Sequence, residues 1–260
     1  MTTLIVDRNP ASGVTLITLN RPAVLNAFNT AMWRELGDLL REQAHDAGLR
    51  CIVICGAGSR AFSAGGDLKE RNGMSDEVWA AQHRLIEDVL LAVREFPHPV
   101  IAAVHGIAHG GGLELALMCD FIVGDTSADM ALPEGKRGFL PGGAGMQNLT
   151  RAVGLRKAKQ MVYTGARIDA QTAYDWGILN ELVPAGQHVT RALALAHEMT
   201  RASPQAVRSA KLALQHGADT DFRAGYALDL AHYYTLVSGP DRLEGIRAFN
   251  EKREPRWVRR

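Results

Sequence analysis

The stretch GIAHGGGLELALMCD, residues 106–120, places three consecutive glycines directly before an apolar segment that carries a single carboxylate, Glu114. We interpret the apolar segment as a helix that begins at these glycines. The first turn of a helix has unpaired N–H groups and a partial positive charge, and glycines let a ligand approach them closely. This arrangement suits an anion, or an oxygen that becomes negatively charged during a reaction, although a tight turn required by packing would use the same residues.

A second glycine-rich loop, FSAGGD at residues 62–67, also follows a segment that we predict to be a buried strand. Two such loops at the ends of neighbouring strands could each direct one N–H group at the same oxygen. Neither loop is a P-loop, because no G-K-[ST] is present, and neither contains the G-x-G-x-x-G pattern of dinucleotide-binding proteins. The two loops therefore predict an oxyanion site rather than a nucleotide site.

Two glutamates accompany these loops. Glu114 lies one turn into the apolar helix, where an unpartnered charge is costly to bury, and Glu134 follows Pro133 at a predicted strand end. If both carboxylates face one cavity, their repulsion raises the proton affinity of one of them, so the pair can hold a water while one accepts and the other donates a proton. The alternative is a helix-terminal charge at Glu114 and an exposed loop carboxylate at Glu134.

The composition is that of an ordinary globular protein. The chain has 260 residues, of which 47% are hydrophobic and 22% are charged, with a formal net charge of +1. This length allows a sizeable core in one or two domains, and the near-neutral charge gives no reason to expect nucleic acid or an anionic membrane as a partner. No apolar run approaches the roughly 20 residues that cross a bilayer. We expect no secretory signal, because the first residues lack its basic and apolar regions.

The chain has three cysteines, two of which, Cys51 and Cys55, lie in the segment CIVIC. Alternate positions of a strand face the same side, so both would point into one layer. A redox pair is typically spaced C-x-x-C, and we therefore interpret these two as small core residues. Free cysteines fit a reduced, cytoplasmic setting.

Alternating apolar residues and β-branched runs predict strands at residues 14–19 and, as a hairpin partner, at LIVD. Apolar runs predict buried strands at CIVICG and VIAAVHG and short strands at DFIVGD and ADMALPEG. Asn29 or Thr30 can cap a first long helix, and Ser75 with Asp76 can start a second that ends near Phe96. The pattern is helical from about Ser203 onward. This order predicts an α/β core at residues 1–200 and a helical region at residues 201–260.

Six stretches together resemble the crotonase superfamily, and within it the enoyl-CoA hydratases, over nearly the full length of the chain. They are LNRPAVLNAFN, AFSAGGDLKE, PVIAAVHGIAHGGGLELALMCDFIV, ALPEGKRGFLPGGAGMQNLTRAVG, TGARIDAQTAYDWGILNELV and FNEKREP. Their order and spacing are specific to the superfamily and much less specific to one reaction. The resemblance implies an α/β spiral of ββα units with a C-terminal helical region that mediates trimerisation, often within a hexamer built from two trimers.

The resemblance also implies an acyl-CoA thioester substrate. The backbone N–H groups of Gly66 and Gly111 would form the oxyanion hole, and Glu114 and Glu134 match the two glutamates of the hydratases. Residues implied to contact the substrate or its CoA portion are Leu25, Ala64, Asp67, Leu68, Lys69, Phe249 and Lys252.

Water would then add to the β-carbon of an enoyl thioester while negative charge builds on the thioester oxygen. Losing one of two fixed N–H donors to that oxygen typically costs about 10²–10³ in rate. We expect Glu134 to protonate the α-carbon. No metal or redox cofactor is expected, because the thioester supplies the electron sink.

Three positions depart from the family pattern. Ala23 replaces a common lysine, which removes one contact to the CoA phosphates that Lys69, Phe249 or Lys252 could partly replace. Arg137 stands where an apolar residue is usual, so it either points to solvent or polarises the acyl pocket. His109 is unusual just before the glycines, and we expect a structural role for it more than a place in the acyl pocket.

Other functions fit less well. An enoyl-CoA isomerase would use the same oxyanion hole with one carboxylate, and a crotonase-type decarboxylase, lyase or hydrolase stays possible. A serine hydrolase at AFSAG lacks the G-x-S-x-G elbow, which leaves Ser63 as a loop residue. His105 and His109 lack the glutamate of H-E-x-x-H, so a zinc site is not expected. A non-catalytic RNA-binding or scaffolding subunit is disfavoured by the neutral charge and the intact glutamate pair.

Overall fold

The computed structural model describes residues 2–9 and 12–258. Ten strands are present in these ranges: β1 (Leu4–Asn9), β2 (Val14–Leu19), β3 (Cys51–Gly56), β4 (Ala61–Ser63), β5 (Val100–Val104), β6 (Ile107–His109), β7 (Phe121–Asp125), β8 (Asp129–Ala131), β9 (Ile168–Asp169) and β10 (Glu181–Val183). The same ranges contain the α-helices α1 (Thr30–Gln43), α2 (Leu68–Arg71), α3 (Asp76–Arg94), α4 (Gly111–Met118), α5 (Gly145–Val153), α6 (Leu155–Thr164), α7 (Ala170–Asp175), α8 (His188–Thr200), α9 (Pro204–Ala218), α10 (Phe222–Val237) and α11 (Pro240–Asn250).

The strands form two sheets. One has six strands in the order β1-β2-β3-β5-β7-β10 and the other has four in the order β4-β6-β8-β9. Strands β1 and β2 form the predicted antiparallel hairpin, whereas β2, β3, β5, β7 and β10 run parallel. The pairs β3/β4, β5/β6 and β7/β8 each contribute one strand to each sheet before a helical segment follows. This repetition confirms the expected α/β spiral of ββα units.

Strand β3 shows how the sequence specifies the two cores. Its even positions, Ile52 and Ile54, join the large core between the sheets and helices α1, α3 and α4. Its odd positions, Cys51, Val53 and Cys55, face a smaller core covered by α8. Both cysteines are buried and unpaired, which confirms the interpretation of these two as core residues.

Side-chain caps start the long helices where the sequence predicts. The Asn29 carboxamide oxygen accepts a hydrogen bond from the Met32 N–H at 3.0 Å, and the Ser75 hydroxyl accepts one from the Val78 N–H at 3.4 Å. Each cap satisfies one of the N–H groups that the first turn of a helix leaves unpaired.

Helices α9, α10 and α11 follow the sheets. The buried Lys211 ammonium on α9 donates to the Asp120 carboxylate at 2.7 Å, which ties α9 to the start of β7. Exposed large apolar side chains are concentrated on α10 and α11: Phe222, Tyr226, Tyr233, Tyr234, Leu243, Ile246 and Phe249. The boundary at residue 200 and the trimeric or hexameric state stay predictions. None of the helices in the described ranges is both long and apolar enough to cross a membrane.

Candidate active site

The two glycine-rich loops meet because β4 and β6, which precede them, are parallel neighbours. Gly65 has a φ of +89°, and a Cβ on it would lie 3.0 Å from the Gly111 N and 2.7 Å from the His109 carbonyl oxygen. A Cβ on Gly111 would in turn lie 3.7 Å from the Gly66 N. The loops are thus in direct backbone contact, and a larger residue at position 65 would force them apart.

The amides of Gly66 and Gly111 are the N–H groups that the family resemblance implied for an oxyanion hole. Both residues border the same cavity. Within the described ranges, neither N–H donates to a carbonyl or a side chain, because the bridge between Phe28 and the first loop uses the Gly65 carbonyl and the Asp67 N–H instead. Gly111 is also the first residue of α4, so its amide lies at the positive end of that helix. Two backbone donors that the described residues do not use therefore border the same cavity.

Glu114 is buried in the first full turn of α4. Its Oε1 accepts hydrogen bonds from the Gly143 N–H at 2.7 Å and the Gly145 N–H at 3.1 Å. Burial raises the pKa of Glu114, while these two amides and the Arg71 charge act in the opposite direction. Both amides bind the same oxygen, so Oε2 is left to interact with a ligand or a water.

Glu134 starts a short 3₁₀ turn, Glu134–Arg137, rather than ending a strand as predicted, because β8 already ends at Ala131. Its carboxylate packs against Gly110, whose φ is +52° and whose Cβ, if present, would lie 2.6 Å from Oε1. The other oxygen, Oε2, is buried and has no hydrogen-bond partner in the described part of the chain. Burial, and then the nearby Glu114 charge, raise the pKa of Glu134 to about 7, against the opposing effect of Arg137.

The carboxyl groups of Glu114 and Glu134 therefore have different environments. Glu114 is anchored by two amides that favour its ionised form, whereas Glu134 has an unpartnered oxygen and a proton affinity matched to neutral pH. Two positioned carboxyl groups with unlike hydrogen-bond partners can serve as base and acid in one reaction.

The cavity that contains these groups has a volume of about 480 Å³. Trp79 and Phe139 line this cavity and pack edge to face with their ring centroids 6.0 Å apart, and Ile86 also lines it. Of the residues that the sequence assigned to the site, the structure brings together at this cavity Leu25, Ala64, Gly66, Leu68, Gly111, Glu114 and Glu134.

The other assigned residues do not line the cavity. The Asp67 carboxylate caps α2 and pairs with Arg21 at 2.9 Å, so this side chain holds the loop in place. A contact between Asp67 and the substrate stays a prediction. Lys69 is exposed on α2. Phe249 and Lys252 are exposed at the end of α11, away from the cavity of their own chain. A contact between CoA and Lys69, Phe249 or Lys252 stays a prediction.

His109 and Arg137 both border the cavity. His109 also has the structural role expected from the sequence, because its Nε2 is 3.2 Å from the Asp129 carboxylate. Burial, together with the charges of Arg167 and Arg137, lowers the pKa of His109 to about 4, so the imidazole is neutral at pH 7.

Two residues considered for other chemistry have different partners. Ser63 is the last residue of β4 rather than a loop residue, and its hydroxyl donates to the Asn26 carbonyl at 2.8 Å and accepts from the Gly65 N–H at 3.1 Å. His105 is buried and stacks on His188 at 4.5 Å. Among the residues that the structure describes, no cluster of three or more His, Cys, Asp or Glu side chains could hold a metal ion.

The cavity residues that were not identified from the sequence include Arg71, Trp79 and His83. Arg71 ends α2, and the other two lie on the inner face of α3. A helical wheel of α3 could have grouped the last two, but the direction of Arg71 depends on how the four-residue helix α2 sits on α3.

Comparison with known proteins identifies relatives over nearly the whole chain. The family model described as "Enoyl-CoA hydratase/isomerase" matches residues 9–260. The chain is 40% identical to the 2,3-dehydroadipyl-CoA hydratase of Escherichia coli (strain K12), with 98% of each chain covered. It is 40% identical to the mouse mitochondrial enoyl-CoA hydratase domain-containing protein 2, over 96% of this chain and 86% of that one. The crystal structure of an enoyl-CoA hydratase from Bacillus anthracis superposes with a TM-score of 0.95 at 38% identity, covering 98% of both chains.

Proposed function

Because the chain belongs to the enoyl-CoA hydratase/isomerase family, we propose that this crotonase-family enzyme adds water reversibly across the 2,3 double bond of an enoyl-CoA thioester to give a 3-hydroxyacyl-CoA. The observation that carries the proposal is the unlike pair of carboxylates, Glu114 and Glu134, in one cavity beside two available amides. An isomerase needs only one carboxylate to move a proton, whereas adding water needs one group to take a proton and another to give one.

In the proposed reaction the thioester oxygen binds between the N–H groups of Gly66 and Gly111. Glu114, held by the two amides that bind its Oε1, uses Oε2 to accept a proton from water as the water adds to the β-carbon. Glu134, protonated at neutral pH in a large fraction of molecules, donates its proton to the α-carbon. The negative charge on the thioester oxygen is stabilised most in the transition state, which is where such donors accelerate a reaction. The thioester is the electron sink, so the reaction as proposed needs no metal or redox cofactor.

The test is hydration of crotonyl-CoA by the purified protein, followed by loss of enoyl absorbance and by mass detection of the hydrated product. Glu134→Gln should lower kcat by about 10²–10⁴, the usual contribution of a positioned acid or base. Binding of butyryl-CoA, a saturated analogue, should be retained. Glu95→Gln, at an exposed position outside the cavity, controls for the substitution itself. Near-native hydration by Glu134→Gln would exclude the assigned role, and double-bond migration without added water would identify an isomerase.

We also propose that copies of this chain associate through α10 and α11. The support is the concentration of exposed aromatic and aliphatic side chains on these two helices, since contiguous exposed apolar surface commonly marks an interface. Such an assembly could bring Phe249 and Lys252 to the cavity of a neighbouring copy. Light scattering of the purified protein measures the mass, and a monomeric mass would contradict the proposal.

A further inference from the structure

Arg71, the last residue of α2, directs its guanidinium group at the active-site cavity. Its Cζ lies 3.5 Å from the position that a Cβ on Gly66 would occupy. The charge is therefore close to one of the two amides assigned to the thioester oxygen. Trp79, Ile86 and Phe139, which line the same cavity, provide apolar surface for the hydrocarbon part of an acyl group.

The position of this guanidinium is fixed by its neighbours. Its Nε donates to the Gln82 side-chain oxygen at 2.8 Å, and the Trp79 ring centroid lies 4.4 Å from Cζ. Gln82 is itself buried, and its amide nitrogen donates to the Thr30 hydroxyl at 2.7 Å and to the Glu70 carboxylate at 2.9 Å. A charged group that is held in this way loses little conformational entropy when a ligand binds it.

The two terminal nitrogens of Arg71 are not used by the protein. In residues 2–9 and 12–258 they make no hydrogen bond, and no carboxylate lies within ion-pair distance of them. The nearest acids are otherwise engaged, since Glu70 accepts from the Thr30 N–H and from Gln82, and Glu114 accepts from two amides. Burial lowers the pKa of Arg71, against the charges of Glu70 and Glu114. A half-buried guanidinium with free donors is matched by an anion such as a carboxylate, which can accept two parallel hydrogen bonds from it.

The other basic side chains at the cavity are more exposed or already paired. The Arg137 side chain is exposed and donates to the Pro133 carbonyl at 3.3 Å, and the His83 Nε2 lies 3.2 Å from the Glu87 carboxylate. His109 is neutral at pH 7 and bonded to Asp129. Among the described residues that line the cavity, Arg71 combines two unused terminal nitrogens with contact to the Trp79 ring.

We propose that Arg71 binds a carboxylate carried by the acyl group beyond the reacting double bond, so that the substrate class is short enoyl-CoA thioesters with a terminal carboxylate. This inference rests on the proposed function and narrows it. The thioester oxygen is held at one side by Gly66 and Gly111, and the carboxylate binds the terminal nitrogens of Arg71. The Trp79 ring contacts the chain between them.

The test compares two substrates of the same chain length, glutaconyl-CoA with a terminal carboxylate and pent-2-enoyl-CoA without one. We expect the wild type to prefer glutaconyl-CoA in kcat/KM by about 10–100-fold, the usual value of hydrogen bonds to a charged group. Arg71→Met, which keeps the length and removes the charge, should abolish this preference. Arg84→Met, at an exposed arginine on α3 away from the cavity, should keep it.

Three results in this assay would overturn the proposal. An equal loss on both substrates in Arg71→Met would mean that Arg71 acts on the thioester oxygen or on Glu114, which every substrate shares. Loss of the preference in Arg137→Met but not in Arg71→Met would assign the carboxylate to the other arginine. A wild type without any preference for glutaconyl-CoA would exclude the substrate class.

A binding measurement separates this inference from the hydratase proposal. Glutaryl-CoA and pentanoyl-CoA are saturated, so calorimetric titration with them does not require turnover. Tighter binding of glutaryl-CoA, lost in Arg71→Met, supports the role of Arg71 even if neither enoyl thioester is hydrated. Equal affinities for the two thioesters overturn it even if hydration is observed.

Discussion

We expect Glu134 to be required for activity and, because its pKa is raised in the folded protein, to lower the free energy of unfolding at neutral and higher pH. Its ordinary pKa is 4.5, whereas burial and the nearby Glu114 charge raise it to about 7 in the folded protein. The folded state therefore binds a proton more tightly than the unfolded chain. Because the folded pKa is the higher one, the free energy of unfolding falls as pH rises from about 4.5 to about 7, and the loss is complete above that window.

The size of this effect follows from the two values. A difference of about 2.5 in pKa corresponds to about 3 kcal/mol. Glu134→Gln removes the ionisation, so it should stabilise the protein by about 3 kcal/mol at pH 8 and by less than about 1 kcal/mol at pH 5. Any hydrogen bond that the new amide gains or loses adds the same amount at both pH values, so the difference between pH 8 and pH 5 is the quantity to compare.

Denaturant unfolding of the wild type and Glu134→Gln at pH 5 and pH 8 measures this difference, with Glu95→Gln as the control for an exposed position. A gain at pH 8 that coincides with loss of hydration would show that the same burial serves catalysis and destabilises the fold. A stability difference that does not change between the two pH values would refute the reasoning, since Glu134 would then have the same pKa in both states.

Further predictions concern the reaction and the fold. The kcat/KM for crotonyl-CoA hydration should fall about tenfold per pH unit above pH 7, because ionised Glu134 cannot protonate the α-carbon; a profile flat to pH 9 would contradict this. Gly111→Pro removes an oxyanion donor and should lower kcat by at least about 10²–10³, whereas Gly111→Ala keeps the N–H and should lose less; equal rates in these two variants would exclude the donor role. Lys211→Met leaves the buried Asp120 carboxylate without its ammonium partner and should destabilise the protein by about 3–5 kcal/mol in denaturant unfolding. A change below about 1 kcal/mol would contradict a stabilising role of the Lys211–Asp120 ion pair. Asn29→Ala removes the cap of α1 and should lower the free energy of unfolding by about 1 kcal/mol, with no change expected if solvent replaces the cap fully.

The amino-acid sequence determined the local secondary structure and which reactive groups the chain carries. Buried strands were predicted from apolar runs, and the start of α1 was predicted from Asn29, because strand alternation and helix capping act over a few neighbouring residues. The two glycine-rich loops and the two glutamates were recognised as one set from their types and their order. Their family resemblance then implied the ββα spiral that the structure has.

Only the tertiary structure decided how these groups face one another. Contact between the loops at Gly65 and Gly111 depends on the parallel pairing of β4 with β6, which no local pattern specifies. The carboxylate of Asp67 is bound by Arg21 and by the α2 N-terminus, which the residue's place in the glycine-rich loop does not reveal. Arg71 faces the cavity with unused donors because α2 packs against α3 through Gln82. Burial and pairing depend on groups far apart in the chain, so they set pKa values and donor availability that residue types alone do not fix.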